Sequence, residues 1–294
     1  MSQKIAIAVV HGIGKADPEF AEQGHPKFLS GIVPRIQKEF AAELKMDISS
    51  ARQELEFVPV YWAEVMQARQ DKLYGHLNIE SRVSRFLGLR DFIFHSLADS
   101  IAYQPTPPDD GPNLYGEVHR VFAKAIHELA DKAGENAPLC MIGHSMGAAI
   151  ASNYIWDTQQ GRIPANAHDN PLERGETLAS LYTFGSQLPF WAMRFPDFGK
   201  PPQVPSPKLW SHYPEAQGEW LNFYDRNDLL GYPVKDINSH YRAVVSETEV
   251  SVGNLLTGWN TFAHDAYWHS DQVIRPIAQS LARLWKQVNP TPLP

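Results

Sequence analysis

The sequence predicts an α/β protein with a mostly parallel central sheet flanked by helices on both faces. Short apolar runs, typical of strands buried on both sides, alternate with longer segments of helical periodicity. An apolar run at 138–142 also leads through Gly143-His144-Ser145-Met146-Gly147 into small residues, which is typical of a strand, a sharp turn and a helix. The 294 residues, 43% of them hydrophobic, suit a single domain over 1–294.

The first part of the chain is expected to form a βαβ unit followed by an insertion. Ile5 to Val10 is a continuous apolar run, Lys27 to Leu44 carries an apolar stripe at helical spacing, and Leu55 to Tyr61 is typical of a second strand. Pro59 cannot donate to a ladder, so this strand is expected at a sheet edge or a bulge. Residues 62–112 break the alternation, which predicts a helical insertion that packs on the domain or acts as a cap or lid.

The second part continues the alternation. Tyr115 to Lys132 predicts a helix, on which His119 and His127 are expected at the surface. Strands are predicted at Leu178–Phe184, Trp220–Tyr224 and Arg242–Val252. Asp271 to Val288 predicts a closing helix.

Composition bounds the partners and the compartment. The net charge of -7 has no basic footprint, so no nucleic-acid partner is expected. No run reaches the roughly 18 apolar residues of a membrane span, and the short apolar run near the start predicts a strand rather than a signal peptide. The one cysteine, Cys140, cannot form an internal disulfide. These features predict a cytoplasmic protein and leave its oligomeric state open.

The turn at Ser145 is the strongest functional signal. A serine in such an elbow has a strained backbone and projects its hydroxyl out of the turn. Gly143 and Gly147 lack Cβ atoms, which lets the strand and helix approach closely. Ser145 is therefore the candidate nucleophile, and the alternative is a capping serine in an ordinary βα turn.

A serine nucleophile requires a base and a carboxylate, and in a parallel sheet both must lie beyond the carboxyl ends of the strands. Asp225 and Asp228 follow the strand predicted at Trp220–Tyr224. Asp228 lies further into the loop and is favoured as the acid. Asp225 is the alternative, and the residue not used would form a structural Asx-turn.

The base is expected in the last loop before the closing helix. His264 is favoured there, because His269 lies at the helix start and His240 precedes a strand. The order Ser145, Asp228, His264 is also the order found in hydrolases with a nucleophile elbow.

Stabilisation of an oxyanion requires two backbone amides. The amide of Met146 opens the helix after Ser145 and is the first candidate. The second should come from His11-Gly12-Ile13-Gly14, with Ile13 as the expected donor and Gly14 as the alternative. No metal or cofactor is expected, since His11 lacks partners at metal-ligand spacing.

Five motifs from the first strand to the last helix carry a resemblance to a known family. They are His11-Gly12-Ile13-Gly14, Gly143-His144-Ser145-Met146-Gly147, Phe184-Gly185-Ser186, Asn227-Asp228-Leu229-Leu230-Gly231-Tyr232-Pro233 and His264-Asp265-Ala266-Tyr267-Trp268. Together they resemble the lipase/esterase branch of the α/β-hydrolase superfamily, with triacylglycerol-lipase-like motifs. The resemblance implies that Asp228 and His264 complete a triad. Gly231 stands where such proteins often have a proline, and the insertion at 62–112 matches no lid.

The expected activity is that of a serine hydrolase of carboxylic esters, acting through a Ser-His-Asp triad and an acyl-enzyme. A small-molecule or lipid-like acyl ester is the expected substrate. The aromatic cluster Phe190, Trp191, Phe195 and Phe198 fits an acyl group, and core packing explains it equally well. An amidase or thioesterase would use the same residues. A non-catalytic binding or scaffold protein on the same fold stays an alternative.

Overall fold

A six-stranded sheet forms the centre of the protein. The structure is a computed structural model that describes residues 2–12, 31–77, 99–105, 113–252 and 264–290. The strands are β1 (Ile5–Val10), β2 (Leu55–Val60), β3 (Leu139–His144), β4 (Leu178–Phe184), β5 (Trp220–Tyr224) and β6 (Val245–Glu249). They lie in the order β2-β1-β3-β4-β5-β6, and every neighbouring pair is parallel. The predicted α/β architecture is confirmed, and it is consistent with an α/β-hydrolase-like fold.

Helices cover the sheet. They are α1 (Ile32–Leu44), α2 (Ile48–Glu54), α3 (Ala63–Leu77), α4 (Leu114–Ala133), α5 (Met146–Gln159), α6 (Leu188–Ala192), α7 (Leu209–His212), α8 (Ser239–Val244) and α9 (Asp271–Val288). Short 3₁₀ turns lie at Pro196–Phe198, Lys235–Ile237 and Ala266–His269. None of the helices within the described ranges is both long enough and apolar enough to cross a membrane.

Both faces of the sheet are buried, as β1 illustrates. Ala6, Ala8 and Val10 pack in one apolar cluster with α4 and α5. The alternate residues Ile5, Ile7 and Val9 pack in a second cluster with α1 and α9. Side chains of a strand alternate between its two faces, so a continuous apolar run is what burial on both faces requires.

Two prolines have the positions that their chemistry allows. Pro59 lies in β2, which is an edge strand of the described sheet and pairs with β1. This confirms the expected edge position, because an edge strand can spare a donor. Pro34 lies in the first turn of α1, where its missing N–H had no intrahelical acceptor.

Some elements differ from what the sequence predicts or fall outside the described residues. The strand predicted at Arg242–Val252 is instead α8 followed by β6, because Asn238 caps a helix by accepting from the N–H groups of His240 and Tyr241. Helix α2, capped by Asp47, was not predicted. Of the insertion at 62–112, α3 is described, whereas 78–98 and 106–112 lie outside the described residues, as does the start of the first predicted helix.

The prediction that His119 lies at the surface is wrong. Its side chain is buried, because Tyr103 from the insertion packs over this part of α4 and places its hydroxyl 2.9 Å from His119 Nε2. His127, on the same helix, is partly exposed. The difference depends on a long-range contact that helical periodicity does not contain.

Candidate active site

Ser145 lies at a strained turn between β3 and α5. Its backbone has φ 55° and ψ -124°, a conformation that costs roughly 1–3 kcal/mol for a residue with a side chain. The backbone N–H of Ser145 donates to the carbonyl of Phe184 at 3.0 Å. A Cβ on Gly143 would lie 2.8 Å from Cα of Ala148, and one on Gly147 would lie 2.5 Å from the carbonyl oxygen of Val10. Glycine at both positions therefore lets the strand, the helix and β1 approach closely enough to hold the strained serine.

The loop after β1 contacts the serine. A Cβ on Gly12 would lie 2.8 Å from Cβ of Ser145 and 3.3 Å from its Oγ. Met146 is the first residue of α5 and is buried, so its amide belongs to the first helical turn, which lacks intrahelical acceptors. The other two candidate oxyanion donors, Ile13 and Gly14, lie outside the described residues.

The structure brings His264 and Asp228 together. Nδ1 of His264 lies 2.9 Å from Oδ2 and 3.0 Å from Oδ1 of Asp228, and both side chains are buried. Burial by itself would raise the pKa of Asp228. The hydrogen bond and charge of His264, with donors from Leu230 and Tyr267, outweigh burial and lower that pKa. The carboxylate is thus ionised at neutral pH and accepts the N–H of Nδ1.

The other candidates for acid and base have different roles. Oδ1 of Asp225 accepts from the N–H of Asn227 at 2.9 Å, and Oδ2 accepts from the N–H of Val252 at 2.8 Å. The first contact is an Asx-turn, and Asp228 makes the same kind of turn with the N–H of Leu230, so the contact with Nδ1 of His264 is what distinguishes Asp228. His240 and His269 are exposed on the surface.

The end of β4 joins the two halves of the site. Its last residue, Phe184, accepts the N–H of Ser145, and the next residue, Gly185, has φ 55°. A Cβ on Gly185 would lie 3.1 Å from Cε1 of His264 and 3.3 Å from Oδ2 of Asp228. Glycine at this position lets the imidazole and the carboxylate pack directly against the strand that also holds the serine.

Two buried polar atoms of the site have no hydrogen-bond partner within the described part of the chain. They are Oγ of Ser145 and Nε2 of His264. An unpaired buried donor or acceptor costs about 1–3 kcal/mol, and such groups in a native fold require an explanation. Their occurrence together indicates groups held ready for a ligand or for each other.

His144 is a residue that sequence reasoning missed. Its Nε2–H donates to the carbonyl oxygen of His264 at 2.8 Å, and the two ring centroids are 4.6 Å apart. Burial, and then the charge of His264, hold the pKa of His144 well below its usual range, so the ring is neutral. His144 ends β3 and fixes the backbone of His264. Its place beside Ser145 was the available signal, but the partner lies 120 positions away.

Gly231, the departure from the family motif, has a structural reason. A Cβ there would collide with the carboxylate of Asp228 and would lie 2.7 Å from Cα of Gly185. A proline carries such a Cβ. The acid loop of this chain therefore packs more closely on Gly185 than a proline would allow.

Fold and site together describe an α/β protein with a serine, a histidine and an aspartate beyond the carboxyl ends of parallel strands. No protein-family model matches the chain, and no curated protein does. The chain is similar to a solved structure of an esterase domain from a Rhodothermus marinus protein, at 11% sequence identity and a TM-score of 0.35, covering 98% of this chain and 88% of that chain. Because this likeness is weak, the assignment of a function rests on the residues of the site.

Proposed function

We propose that this protein is a serine hydrolase that cleaves carboxylic esters, with Ser145 as nucleophile, His264 as general base and Asp228 as the orienting carboxylate. One observation carries the proposal. Oγ of Ser145 and Nε2 of His264 are buried without hydrogen-bond partners in the described part of the chain, while Nδ1 of the same imidazole is held by Asp228. A base oriented by a third group beside a nucleophile is the signature of covalent catalysis.

In the first half of the reaction, Oγ of Ser145 attacks the acyl carbonyl carbon. The new C–O bond forms as the carbonyl π electrons move to oxygen, and Nε2 of His264 takes the hydroxyl proton. The tetrahedral intermediate then collapses, the bond to the alkoxy oxygen breaks, and the imidazolium returns its proton to the leaving alcohol. An acyl group stays on Ser145.

In the second half, water replaces the alcohol. His264 takes a proton from the water, the water oxygen bonds to the acyl carbon, and collapse releases the carboxylic acid while Ser145 regains its proton. Asp228 stays ionised and stabilises the imidazolium of each step. Its lowered pKa, together with its hydrogen bonds from Leu230 and Tyr267, supports this role.

The developing oxyanion would be bound by the amide of Met146 and by an amide of the loop after β1, from Ile13 or alternatively Gly14. Gly12 lies close to Ser145, which supports the proposal that the loop after β1 supplies this second amide. Removal of one such donor typically lowers the rate about 10²–10³-fold.

An acyl or lipid-like substrate is supported by apolar side chains after β4. Phe190, Phe195 and Phe198 are each about half exposed, which disfavours the alternative that they pack a core, whereas Trp191 is buried. Phe190 packs against Tyr232 of the acid loop at 4.9 Å between ring centroids. The insertion at 62–112, whose Gln104 accepts from Arg194 at 3.2 Å, would act as a cap beside this surface.

The proposal is tested with a fluorophosphonate probe and p-nitrophenyl esters of increasing acyl length, with Ser145→Ala as the control. The wild-type protein is expected to be labelled at one site and to hydrolyse at least some of the esters, and Ser145→Ala is expected to do neither. Matched amide and thioester substrates should be cleaved more slowly than the ester. Labelling of Ser145→Ala as fast as the wild type, or a wild type that neither reacts with the probe nor cleaves any ester, would overturn the proposal.

A further inference from the structure

A second group of titratable side chains lies near the opposite ends of the strands from Ser145. His127 lies on α4, and His168 and Glu173 lie on the segment that joins α5 to β4. The N–H of Leu172 donates to the carbonyl of Glu135, just before β3 begins, at 2.9 Å. The group therefore lies at the amino ends of β3 and β4, whereas Ser145 follows the carboxyl end of β3.

Three possible metal-ligand atoms in this group lie close together. Oε1 of Glu173 lies 2.9 Å from Nδ1 of His127 and 4.0 Å from Nδ1 of His168. One ligand atom from each residue lies within 4.8 Å of the others, and the two imidazole centroids are 4.0 Å apart. Two imidazoles and a carboxylate are a ligand set that zinc uses, with bonds of about 2.0–2.2 Å and a tetrahedral spacing of roughly 3.4 Å between ligand atoms. The observed spacings bracket that value.

Glu173 is held in place by its own partners. Its side chain is 1% exposed, Oε1 accepts from Nδ2 of Asn170 at 2.8 Å, and Oε2 accepts from the backbone N–H of His168 at 2.6 Å. Ligating carboxylates are usually hydrogen-bonded to supporting groups in this way. The other ring nitrogen of His127, Nε2, lies 3.7 Å from Oδ2 of Asp131, which places a carboxylate near it but is too long for a hydrogen bond.

We propose that Nδ1 of His127, Nδ1 of His168 and Oε1 of Glu173 bind one divalent zinc-class ion, with water at a fourth position. A simple ion pair between His127 and Glu173 is the alternative, and it requires only one imidazole. The imidazole of His168 is exposed and faces the same carboxylate oxygen. A simple ion pair would give this second imidazole no role. The ion would link α4 to the segment before β4, so its role is structural and independent of the proposed hydrolase.

The test is titration of Zn²⁺ into chelator-treated protein by isothermal calorimetry, paired with the unfolding temperature. Wild type and Ser145→Ala are both expected to bind one Zn²⁺ per chain and to unfold at a higher temperature with Zn²⁺. His168→Gln and His127→Gln should each lose at least about tenfold in affinity, by comparison with the 10–100-fold typical of lost supporting groups. His240→Gln, at an exposed histidine on α8, should bind as the wild type does.

Two controls keep the outcome decisive. The side chain of His168 is 62% exposed, so His168→Gln should fold, and circular dichroism and ester hydrolysis check this. Co²⁺ in place of Zn²⁺ should give the intense visible absorption of a four-coordinate site in the wild type and lose it in His168→Gln. Absence of Zn²⁺ binding by the wild type, or Zn²⁺ binding that His168→Gln leaves unchanged, would overturn the proposal.

Discussion

The hydroxyl of Tyr267 donates to Oδ2 of Asp228 at 3.0 Å. The phenolic oxygen of Tyr267 in turn accepts the backbone N–H of Asp225 at 2.8 Å, so one buried phenol links both aspartates of the acid loop. Burial, and then the charge of Asp228, raise the pKa of Tyr267, which keeps its proton on the side facing the carboxylate. Tyr267 thereby holds Asp228 toward His264.

Tyr267→Phe tests this link. The change leaves the buried N–H of Asp225 without its acceptor and removes a donor from Asp228, so we expect the free energy of unfolding to fall by about 1–3 kcal/mol. Ester hydrolysis should fall as well, because Asp228 loses one of its constraints. Urea denaturation and kcat/KM measure the two effects. Tyr224→Phe, whose hydroxyl meets Glu249 at 3.4 Å on the exposed side, should change stability by less than about 0.5 kcal/mol. Equal effects of the two variants would contradict the assigned role.

Asp228→Asn and Asp225→Asn should separate catalysis from structure. Loss of the charge at Asp228 removes the partner of His264 Nδ1 and allows the wrong tautomer, so kcat should fall about 10⁴-fold. Asp225→Asn should keep kcat/KM within about tenfold and lower stability instead, because its oxygens accept from Asn227 and Val252. Steady-state kinetics beside denaturation curves distinguish them. The assignment of the acid fails if Asp225→Asn loses more activity than Asp228→Asn.

Gly12→Ala should impair activity without a comparable loss of folding. The added methyl would lie 2.8 Å from Cβ of Ser145, so the serine or the loop after β1 must move. Displacement of a reacting group by about 1 Å can lower a rate about 10²-fold, and we expect kcat/KM to fall at least that much. Gly75→Ala is the matched control, because nothing lies within 4 Å of its added methyl and alanine favours the helix α3. Unchanged kcat/KM in Gly12→Ala would show that the loop tolerates the methyl.

The free energy of unfolding should decrease as the pH is lowered, because His119 is buried in its neutral form. Burial, and then the charge of Arg162, lower the pKa of His119 to about 3. Asp157 lies 3.5 Å from its Nδ1, but that carboxylate is already paired with Arg162 and Tyr115 at 2.7 Å each. Burial therefore dominates.

The direction of the effect follows from proton binding. Below the unfolded pKa of about 6.5 the unfolded chain binds a proton that the folded chain refuses, so the stabilisation is complete above that pH and is lost as the pH falls toward about 3. Between pH 7 and pH 5 this loss is about 2 kcal/mol. Over the same pH interval the free energy of unfolding of His119→Gln, measured by urea denaturation, should fall by about 2 kcal/mol less than that of the wild type. Parallel losses in both proteins would show that His119 is protonated in the folded state.

Local pattern was sufficient for β1 to β5 and for the turn at Ser145, but not for the stretch Arg242–Val252, which begins as a helix. The run Ile5–Val10 contains no polar residue that could face solvent, so its composition already predicts burial on both faces. The glycines around Ser145 likewise indicate a close approach of strand and helix before any coordinates are known. These features depend on residues adjacent in the chain.

Asp228 and His264 were already favoured from the sequence, but their hydrogen-bond contacts are visible only in the tertiary structure. Asp225 and Asp228 have the same chemistry and nearly the same position. They differ in their donors, which come from residues distant in sequence: Asp225 accepts from the N–H of Val252, and Asp228 accepts from the hydroxyl of Tyr267. Tyr103 packs on His119, and the loop of His264 packs on His144. These contacts also join residues that are distant in the chain. Hydrogen bonds act over about 3 Å in space, and a sequence records distance only along the chain.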